Sequence, residues 1–462
     1  MALLRAWMPG QRWFAGKDQP ITGVLVGALW PLASAQPAPL VVHLVIEVML
    51  GDDARQVYQV PVAIYPPNSP AAAAAVEVGR LSDGSLVVDA LTDVRVLTST
   101  SLELSVPAVL DPDVTHSAPH GGPHPPQLQA PTPASAWGSV SARPMSVEQS
   151  NTSVILDDEV LLKVFRQLVP GINPDIEVHA ALGRAGSTHI GRCRAWVNGS
   201  WYESDGSREV AGQGDLRTGH LAMVQELLRP AVDGWELACA RAADGVSFEA
   251  EAHALGIATA EVHRDLRTAL PTRTVEGAEL AALVDRLTAR LSGVVATVPE
   301  LAPIGDQLRV RIESLGDLPG GLRLQRVHGD YHLGQVLLVG DSWKLLDFEG
   351  EPGAPIAERA ALDHPLRDVA GMLRSFAYAA AQGGADRPAQ ERARWQADCE
   401  RAFRSGYDEG AGGSDSQTGD ASEGTILAAY LVDKAAYEAS YEKRNRPDWL
   451  PIPLAALTEL AG

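Results

Sequence analysis

The chain has few cysteines, too few basic residues to balance its acids, and no long apolar run. Three cysteines, Cys193, Cys239 and Cys399, are far apart and odd in number in 462 residues. No CxxC pair occurs, so neither a disulfide framework nor a zinc site is indicated. Lys and Arg total 38 against 58 Asp and Glu, a formal charge of −20. So acidic a chain attracts neither nucleic acid nor an anionic membrane surface, and neither is an expected partner. The N-terminus, MALLRAWMPGQRWFAGK, has too short an apolar run for a signal peptide, and no stretch approaches the roughly 20 apolar residues of a membrane span. A reducing cytoplasm is the expected location. The rest is ordinary for a globular protein, with 45% hydrophobic and 21% charged residues, in a chain long enough for two or three domains with real cores.

The stretch Val327–Pro352, VHGDYHLGQVLLVGDSWKLLDFEGEP, carries the chemistry. Val336–Val339 and Trp343–Leu346 read as strands, with a hairpin turn at Gly340-Asp341-Ser342. A hairpin folds its two ends back together, so Asp330 and Gln335 before it can face Asp347 after it. That set suits phosphoryl transfer from a nucleotide to a hydroxyl. One carboxylate orients and deprotonates the acceptor, and a second carboxylate with an amide oxygen holds Mg²⁺ on the phosphates. The spacing is close to that of protein kinases, where an Asp is followed five residues later by an Asn and a metal-binding Asp follows a short hairpin. Here the amide five residues after Asp330 is Gln335.

The remaining chain divides by pattern. Residues 1–110 read as a strand-rich cap, with strands at Ile21–Leu32, Leu40–Met49, Ala54–Ile64 and Ser85–Leu97; the aromatics of Gln11-Arg12-Trp13-Phe14 read as core. Residues 111–139 are a Pro- and His-rich linker or loop. His116, His120 and His124 fall four apart there, but the surrounding prolines forbid the helix that would make them a metal face. Residues 140–228 read as a small lobe. In it Val147–Ile155 is a polar loop running into a strand, and Val160–Phe165 is a strand with Lys163 in mid-run. A helix at Asn173–Ala185 carries Glu177. A lysine inside an apolar strand is costly unless paired or able to reach water, and Glu177 is the expected partner. The strand Gly219–Leu228 ends in a natural hinge whose backbone, around Gln225 and Leu227, is placed to meet an adenine edge. Residues 229–462 read as mainly helical. Helices are expected at Asp233–Ala243, Phe248–Leu266, Leu280–Val298, Asp363–Ala381, Gln390–Tyr407 and Thr425–Arg444, with a flexible acidic loop at Gly410–Gly424.

These segments together resemble the maltokinase family of actinobacteria, within the aminoglycoside-phosphotransferase-like, eukaryotic-kinase-like superfamily. The resemblance is carried by EQSNTSV (148–154), GINPDIE (171–177), QRVHGDYHLGQVL (325–337), LLDFEGEP (345–352), PLRDVAGMLRSF (365–376) and DKAAYEASYEKRNRPDWLPIP (433–453). It implies an α+β, bilobal kinase-like fold, with a β-rich cap and intermediate lobe, a helical C-lobe, and ATP and Mg²⁺ between lobes. No Walker A loop is implied and none is present. The turn Ser150-Asn151-Thr152-Ser153 takes its place at the phosphates. Lys163, paired with Glu177, steadies them. By the same resemblance Asp330 acts on the acceptor hydroxyl, Gln335 and Asp347 ligate Mg²⁺ with Glu349 in support, and His328 and Arg326 brace the loop. The acceptor lies beside Asp330 and His332, against a helix bearing Lys434, Tyr437, Glu438, Tyr441 and Glu442.

Several positions depart from the maltokinase pattern. Ala377 and Leu431 stand in runs where an acidic residue is usual, Leu362-Asp363-His364-Pro365 replaces a more usual Asp-Ser-Pro, and Tyr331 stands where Leu is common. These departures turn the expectation from maltose toward the branch that phosphorylates glucosamine. The first expectation is an ATP- and Mg²⁺-dependent kinase making glucosamine 6-phosphate, and the second is a maltokinase making maltose 1-phosphate. An aminoglycoside phosphotransferase is third. A non-catalytic scaffold is fourth, since Lys163, Asp330, Gln335 and Asp347 are all intact. The expected partner is a small sugar or amino sugar, and a monomer is favoured.

Overall fold

Long apolar runs near the N-terminus pair in chain order. In the computed structural model, β1 (Ile21–Leu32), β2 (Leu40–Leu50) and β3 (Ala54–Tyr65) are antiparallel neighbours, and β5 (Leu86–Asp89) and β4 (Glu77–Arg80) complete the sheet in the order β1-β2-β3-β5-β4. The structure describes all residues except 18, 33–38, 52–53, 70, 72–73, 99–126, 129–140, 146–149, 205–213, 352–355 and 413–419. Most of the expected linker, part of the loop before Ser150 and part of the expected acidic loop therefore lie outside the described residues. β2 is buried along nearly its whole length. One of its faces, with Val42, Leu44, Ile46 and Val48, packs on an N-terminal arm that opens with α1 (Ala2–Trp7) and contributes Leu4, Met8, Trp13 and Phe14. The other face joins a separate core through Val41 and Val45. Burial on both faces is what an unbroken apolar strand reports. The expected strand Ser85–Leu97 ends early, because Asp89 accepts from the Leu91 N–H at 3.1 Å and turns the chain into a short 3-10 segment.

The second sheet is antiparallel in the order β6-β11-β12-β9-β8-β7. Its strands are β6 (Gln127–Leu128), β7 (Ala142–Pro144), β8 (Thr152–Leu156), β9 (Val160–Val164), β11 (Cys193–Glu203) and β12 (Asp215–Glu226). The intervening β10 (Gln167–Leu168) pairs instead with Tyr58 and Val57 of β3. Ala28, Trp30, Val41 and Val45 share one core with Leu162, Trp201 and Met223 of the second sheet. At Gly27 a Cβ would stand 2.6 Å from the Tyr202 carbonyl oxygen, so only glycine admits the approach of β1 to β11. The chain divides into two compact units, Met1–Ala180 with Gly191–Leu227, and Ala181–Ile190 with Leu228–Gly462. Both sheets belong to the first.

The second unit is mainly helical. Asp233 caps α3 (Gly234–Asp244) by accepting from the Glu236 N–H at 2.9 Å, as Asp does at a helix start. α4 (Glu249–Ala269), α5 (Gly277–Thr297), α6 (Gly305–Glu313), α7 (Ile356–Arg359), α8 (Leu366–Gly383), α9 (Ala389–Gly410), α10 (Asp420–Asn445) and α11 (Pro451–Ala461) follow. Small sheets intervene: β13 (Val232–Asp233) with β16 (Val336–Val339) and β17 (Ser342–Leu345), and β14 (Arg273–Val275) with β15 (Leu322–Leu324). α8 is buried almost throughout. At Gly371 a Cβ would meet the Tyr331 carbonyl oxygen at 2.5 Å, so the chain after Asp330 rests directly on α8. Among the described residues no helix is long and apolar enough to cross a membrane.

Candidate active site

In the first unit the expected nucleotide residues surround the start of β8. Asn151 donates to the Ser150 hydroxyl at 3.3 Å, and the Ser153 carbonyl accepts from the Met145 N–H at 2.8 Å. Thr152 Oγ1 accepts from Arg166 Nε at 2.7 Å, and Arg166 Nη2 donates to Asp89 Oδ2 at 2.5 Å. The Trp13 ring lies 4.9 Å from the same guanidinium, which is 1% exposed. The turn is thus tied to the cap sheet by a buried ion pair that no local sequence signal announces.

Lys163 is buried in β9, as its apolar neighbours demand, and it meets a carboxylate that the sequence did not single out. Its Nζ donates to Asp175 Oδ2 at 2.8 Å, two residues before the expected Glu177. The first turn of α2 (Pro174–Ala185) decides this. Asn173 Oδ1 accepts from the Asp175 N–H at 2.8 Å, and the Asn173 N–H donates to His220 Nδ1 at 2.9 Å. That fixes the turn with Asp175 fully buried and Glu177 half-buried. His179, one turn on, has Nδ1 3.0 Å from Asp175 Oδ1. Burial alone would raise the Asp175 pKa, but Lys163 and His179 outweigh it and hold the carboxyl far below the usual range. The Asp-x-x-x-His spacing was the available signal, since residues four apart meet on a helix face. At the expected hinge, Gln225 sits between Leu161 and Cys193 in the sheet. The Leu227 N–H already donates to the Glu159 carbonyl at 3.0 Å, so that donor is not available to an adenine edge.

In the second unit the hairpin brings its ends together. Val336 faces Leu345, and the Leu346 N–H donates to the Gln335 carbonyl at 2.9 Å. Asp347 follows with φ of 59°, a left-handed backbone rare for a non-glycine residue. Carboxylate oxygens of Asp347 and Glu349 lie within 4.8 Å of each other. Asp330 is held from its other side, where Lys434 Nζ donates to Oδ1 at 3.2 Å and His332 Nε2 lies 4.0 Å from Oδ2. Burial opposes ionisation of Asp330, but Lys434 and His332 prevail and lower its pKa. His332 Nδ1 accepts from the Gly334 N–H at 3.0 Å. His328 Nε2 donates to the Leu346 carbonyl at 2.7 Å, tying the loop to the strand end before Asp347. Asp368, which sequence reading placed only in a helix, accepts from the N–H groups of His328 and Gly329 at 2.7 and 2.9 Å.

A cavity of about 270 Å³ opens beside this loop, and Gly329, Tyr331, Arg290, Glu351, Arg367, Asp433, Lys434 and Tyr437 are in its lining. Arg290 Nη2 is 2.7 Å from Asp433 Oδ2, and Arg367 is 2.8 Å from Asp363 and 3.7 Å from Glu351. Lys434 is also 3.9 Å from Glu351. Burial pushes Asp433 up, while Arg290 and Arg367 pull it back; burial likewise raises Glu351 against Lys434 and Arg367. Of the expected acceptor residues on α10, Lys434 and Tyr437 line the cavity. Tyr441 stacks on Tyr437 at 6.4 Å, outside the lining. Glu438 and Glu442 are turned elsewhere, Glu438 to Arg374 at 2.9 Å and Glu442 to Arg446 at 2.7 Å and the Tyr378 hydroxyl at 3.2 Å. At about 100° per residue, Tyr430, Asp433, Lys434 and Tyr437 share one face of a helix and Glu438 and Glu442 fall on the next. Glu351, Asp433 and Arg290 are the site residues that sequence reading missed.

Residues 7–93 match the maltokinase N-terminal cap domain. Over 341 residues the chain is 30% identical to the glucosamine kinase of Mycolicibacterium smegmatis, spanning 70% of this chain and 82% of that protein. This chain belongs to the glucosamine kinase family. The glucosamine kinase of Streptacidiphilus jiangxiensis is 29% identical over 340 residues, 69% of this chain and 73% of that one. A solved glucosamine kinase in complex with glucosamine, ADP and inorganic phosphate superposes with a TM-score of 0.59 at 23% identity, covering 95% of this chain and 94% of that one. A second crystal form gives 0.63 at 23% identity, covering 95% and 96%. The fold is that of the glucosamine kinases, of the α+β class expected from the sequence. As a member of this family the chain is an ATP-using phosphotransferase.

Proposed function

We propose that the chain transfers the γ-phosphate of ATP to glucosamine, forming glucosamine 6-phosphate. The observation that carries the amino sugar is the charge around the cavity. Four carboxylates, Asp330, Glu351, Asp363 and Asp433, are interleaved with three cations, Arg290, Arg367 and Lys434. One negative charge is left over, and one ammonium group balances it. A neutral disaccharide has no such group.

In this reading Asp330, kept ionised by Lys434, accepts the hydrogen bond of the acceptor hydroxyl and takes its proton as the new O–P bond forms and the bond from the γ-phosphorus to the β–γ bridging oxygen breaks, releasing ADP. Holding that hydroxyl in line is the larger part of the work, because phosphoryl transfer is mostly positioning and charge stabilisation. Ser150–Ser153 and Lys163 serve the nucleotide phosphates. Asp347, Glu349 and Gln335 would hold Mg²⁺; their oxygen donors suit a hard cation, and two of them already lie within 4.8 Å. Bound there, the ion neutralises charge on the transferring phosphoryl group.

The test is ATP consumption with glucosamine, N-acetylglucosamine, glucose, maltose and kanamycin as acceptors, with product mapping. Glucosamine is expected to turn over fastest with phosphate on O6, and N-acetylglucosamine, its charge removed, is expected to be poor. Turnover of maltose without turnover of glucosamine overturns the reading.

A further inference from the structure

Behind the catalytic loop, three polar side chains stand in line, and none of them is in the cavity lining. Asp368, 1% exposed, and His263, 3% exposed, are buried in the helical unit, and Tyr407 reaches them from α9. The Asp368 carboxylate accepts three hydrogen bonds: from the His328 N–H at 2.7 Å, from the Gly329 N–H at 2.9 Å and from His263 Nε2 at 3.0 Å. A carboxylate oxygen can only accept, so Nε2 carries the hydrogen. In the neutral ring Nδ1 is then an acceptor, and the Tyr407 hydroxyl stands 2.9 Å from it and donates. The backbone that carries the ring is held on α4, where the His263 carbonyl accepts from Gln325 Nε2 at 2.8 Å.

Each link fixes the next. Two successive peptide N–H groups on one carboxylate set the plane of the chain entering Asp330, and Gly329 supplies the bend with φ of 86°. Those two bonds alone leave the carboxylate free to tilt about its own axis. The His263 bond removes that freedom, and Tyr407, on the other ring nitrogen, holds the ring in the orientation that makes it. We infer that His263 and Tyr407 are positioning residues for phosphoryl transfer, setting the place of Asp330 through Asp368. The inference rests on the proposed role of Asp330.

The test uses the full-length enzyme with ATP and glucosamine, comparing His263→Leu, His263→Gln and Tyr407→Phe. His263→Leu is expected to lose about 10- to 100-fold in kcat with both KM values within about twofold, since sub-ångström misplacement of a reacting group acts on turnover. His263→Gln, whose amide can donate where Nε2–H did, is expected to recover most of that loss. Tyr407→Phe removes a single oxygen and is expected to lose about 3- to 10-fold in kcat on the same ground. Where His263→Leu does not fold, Tyr407→Phe carries the kinetic test. Nitrogen NMR of histidine-labelled protein, with the His263 signals identified by their loss in His263→Gln, is expected to show a neutral ring protonated at Nε2. Wild-type kcat in Tyr407→Phe, loss confined to KM, or a ring protonated at Nδ1 overturns the inference. A wild-type enzyme that leaves glucosamine untouched defeats the proposed function instead, because the ring state is read without substrate.

Discussion

Buried charge is handled in opposite ways in the two units. In the first, two buried cations each lie on a buried carboxylate: Lys163 on Asp175 at 2.8 Å and Arg166 on Asp89 at 2.5 Å, all four side chains at most 6% exposed. In the second, the cavity cations are shared, Lys434 between Asp330 and Glu351 and Arg367 between Asp363 and Glu351, with a carboxylate to spare. A buried pair that loses one partner leaves an uncompensated charge, at a cost of about 3–5 kcal/mol. A change in the first arrangement therefore falls on folding as well as on the nucleotide phosphates that Lys163 serves. The second is short of a cation, and changes there fall on what it binds and turns over.

Asp330→Asn gives the largest effect that separates the two. The side chain keeps its size and loses its charge, so turnover is expected to fall by at least about 10³-fold, or ~4 kcal/mol in the barrier. Thermal stability and ATP binding are expected to stay close to wild type. A variant that turns over near the wild-type rate removes Asp330 from the chemistry, and one that fails to bind ATP would place the residue in a structural role.

The balanced interior of the first unit can be broken by acid. His43, 1% exposed, has its pKa lowered from 6.5 to about 4 by burial, with the Gln59 side chain pulling it up and Arg166 pushing it further down. The unfolded chain therefore takes up this proton first as pH falls. Stability from His43 is complete above about pH 6.5 and is lost as pH drops toward 4, by about 3 kcal/mol in all. Urea unfolding at pH 7, 5.5 and 4.5 checks it: wild type is expected to lose more stability across that range than His43→Leu. Equal slopes would mean that the interior accommodates the second cation.

What was legible in the chain was what neighbours in sequence decide. Asp330, Gln335 and Asp347 could be placed because a short hairpin lies between them, and the strands at 21–32, 40–50 and 54–65 because their apolar runs are long. Lys163 announced a need for a partner, but that Asp175 meets it depends on how Asn173 and His220 anchor the first turn of α2. Glu438 and Glu442 were read onto the acceptor face because a helix face looks broad when its neighbours are unknown; Arg374 and Arg446 claim them. Asp433 and Arg290 are 143 residues apart, and only the packing of α5 against α10 makes them one feature.

That pair offers the finest adjustment. Asp433 is the cavity carboxylate with one cation close by, Arg290 at 2.7 Å, whereas Glu351 has two at longer range. Arg290 is half-exposed, so its guanidinium can withdraw to water at little cost when another cation enters, as exposed pairs are weak. Asp433→Asn removes the spare negative charge without changing the cavity's size. The ratio of kcat/KM for glucosamine to that for glucose is then expected to fall by about tenfold, ~1.4 kcal/mol, with kcat on saturating glucosamine nearly unchanged. An unchanged ratio would move recognition of the ammonium group to Glu351, and the same comparison on Glu351→Gln would show it. A fall in kcat with the ratio intact would mean that Asp433 acts through its neighbour Lys434 on Asp330, and the charge surplus would no longer account for the choice of an amino sugar.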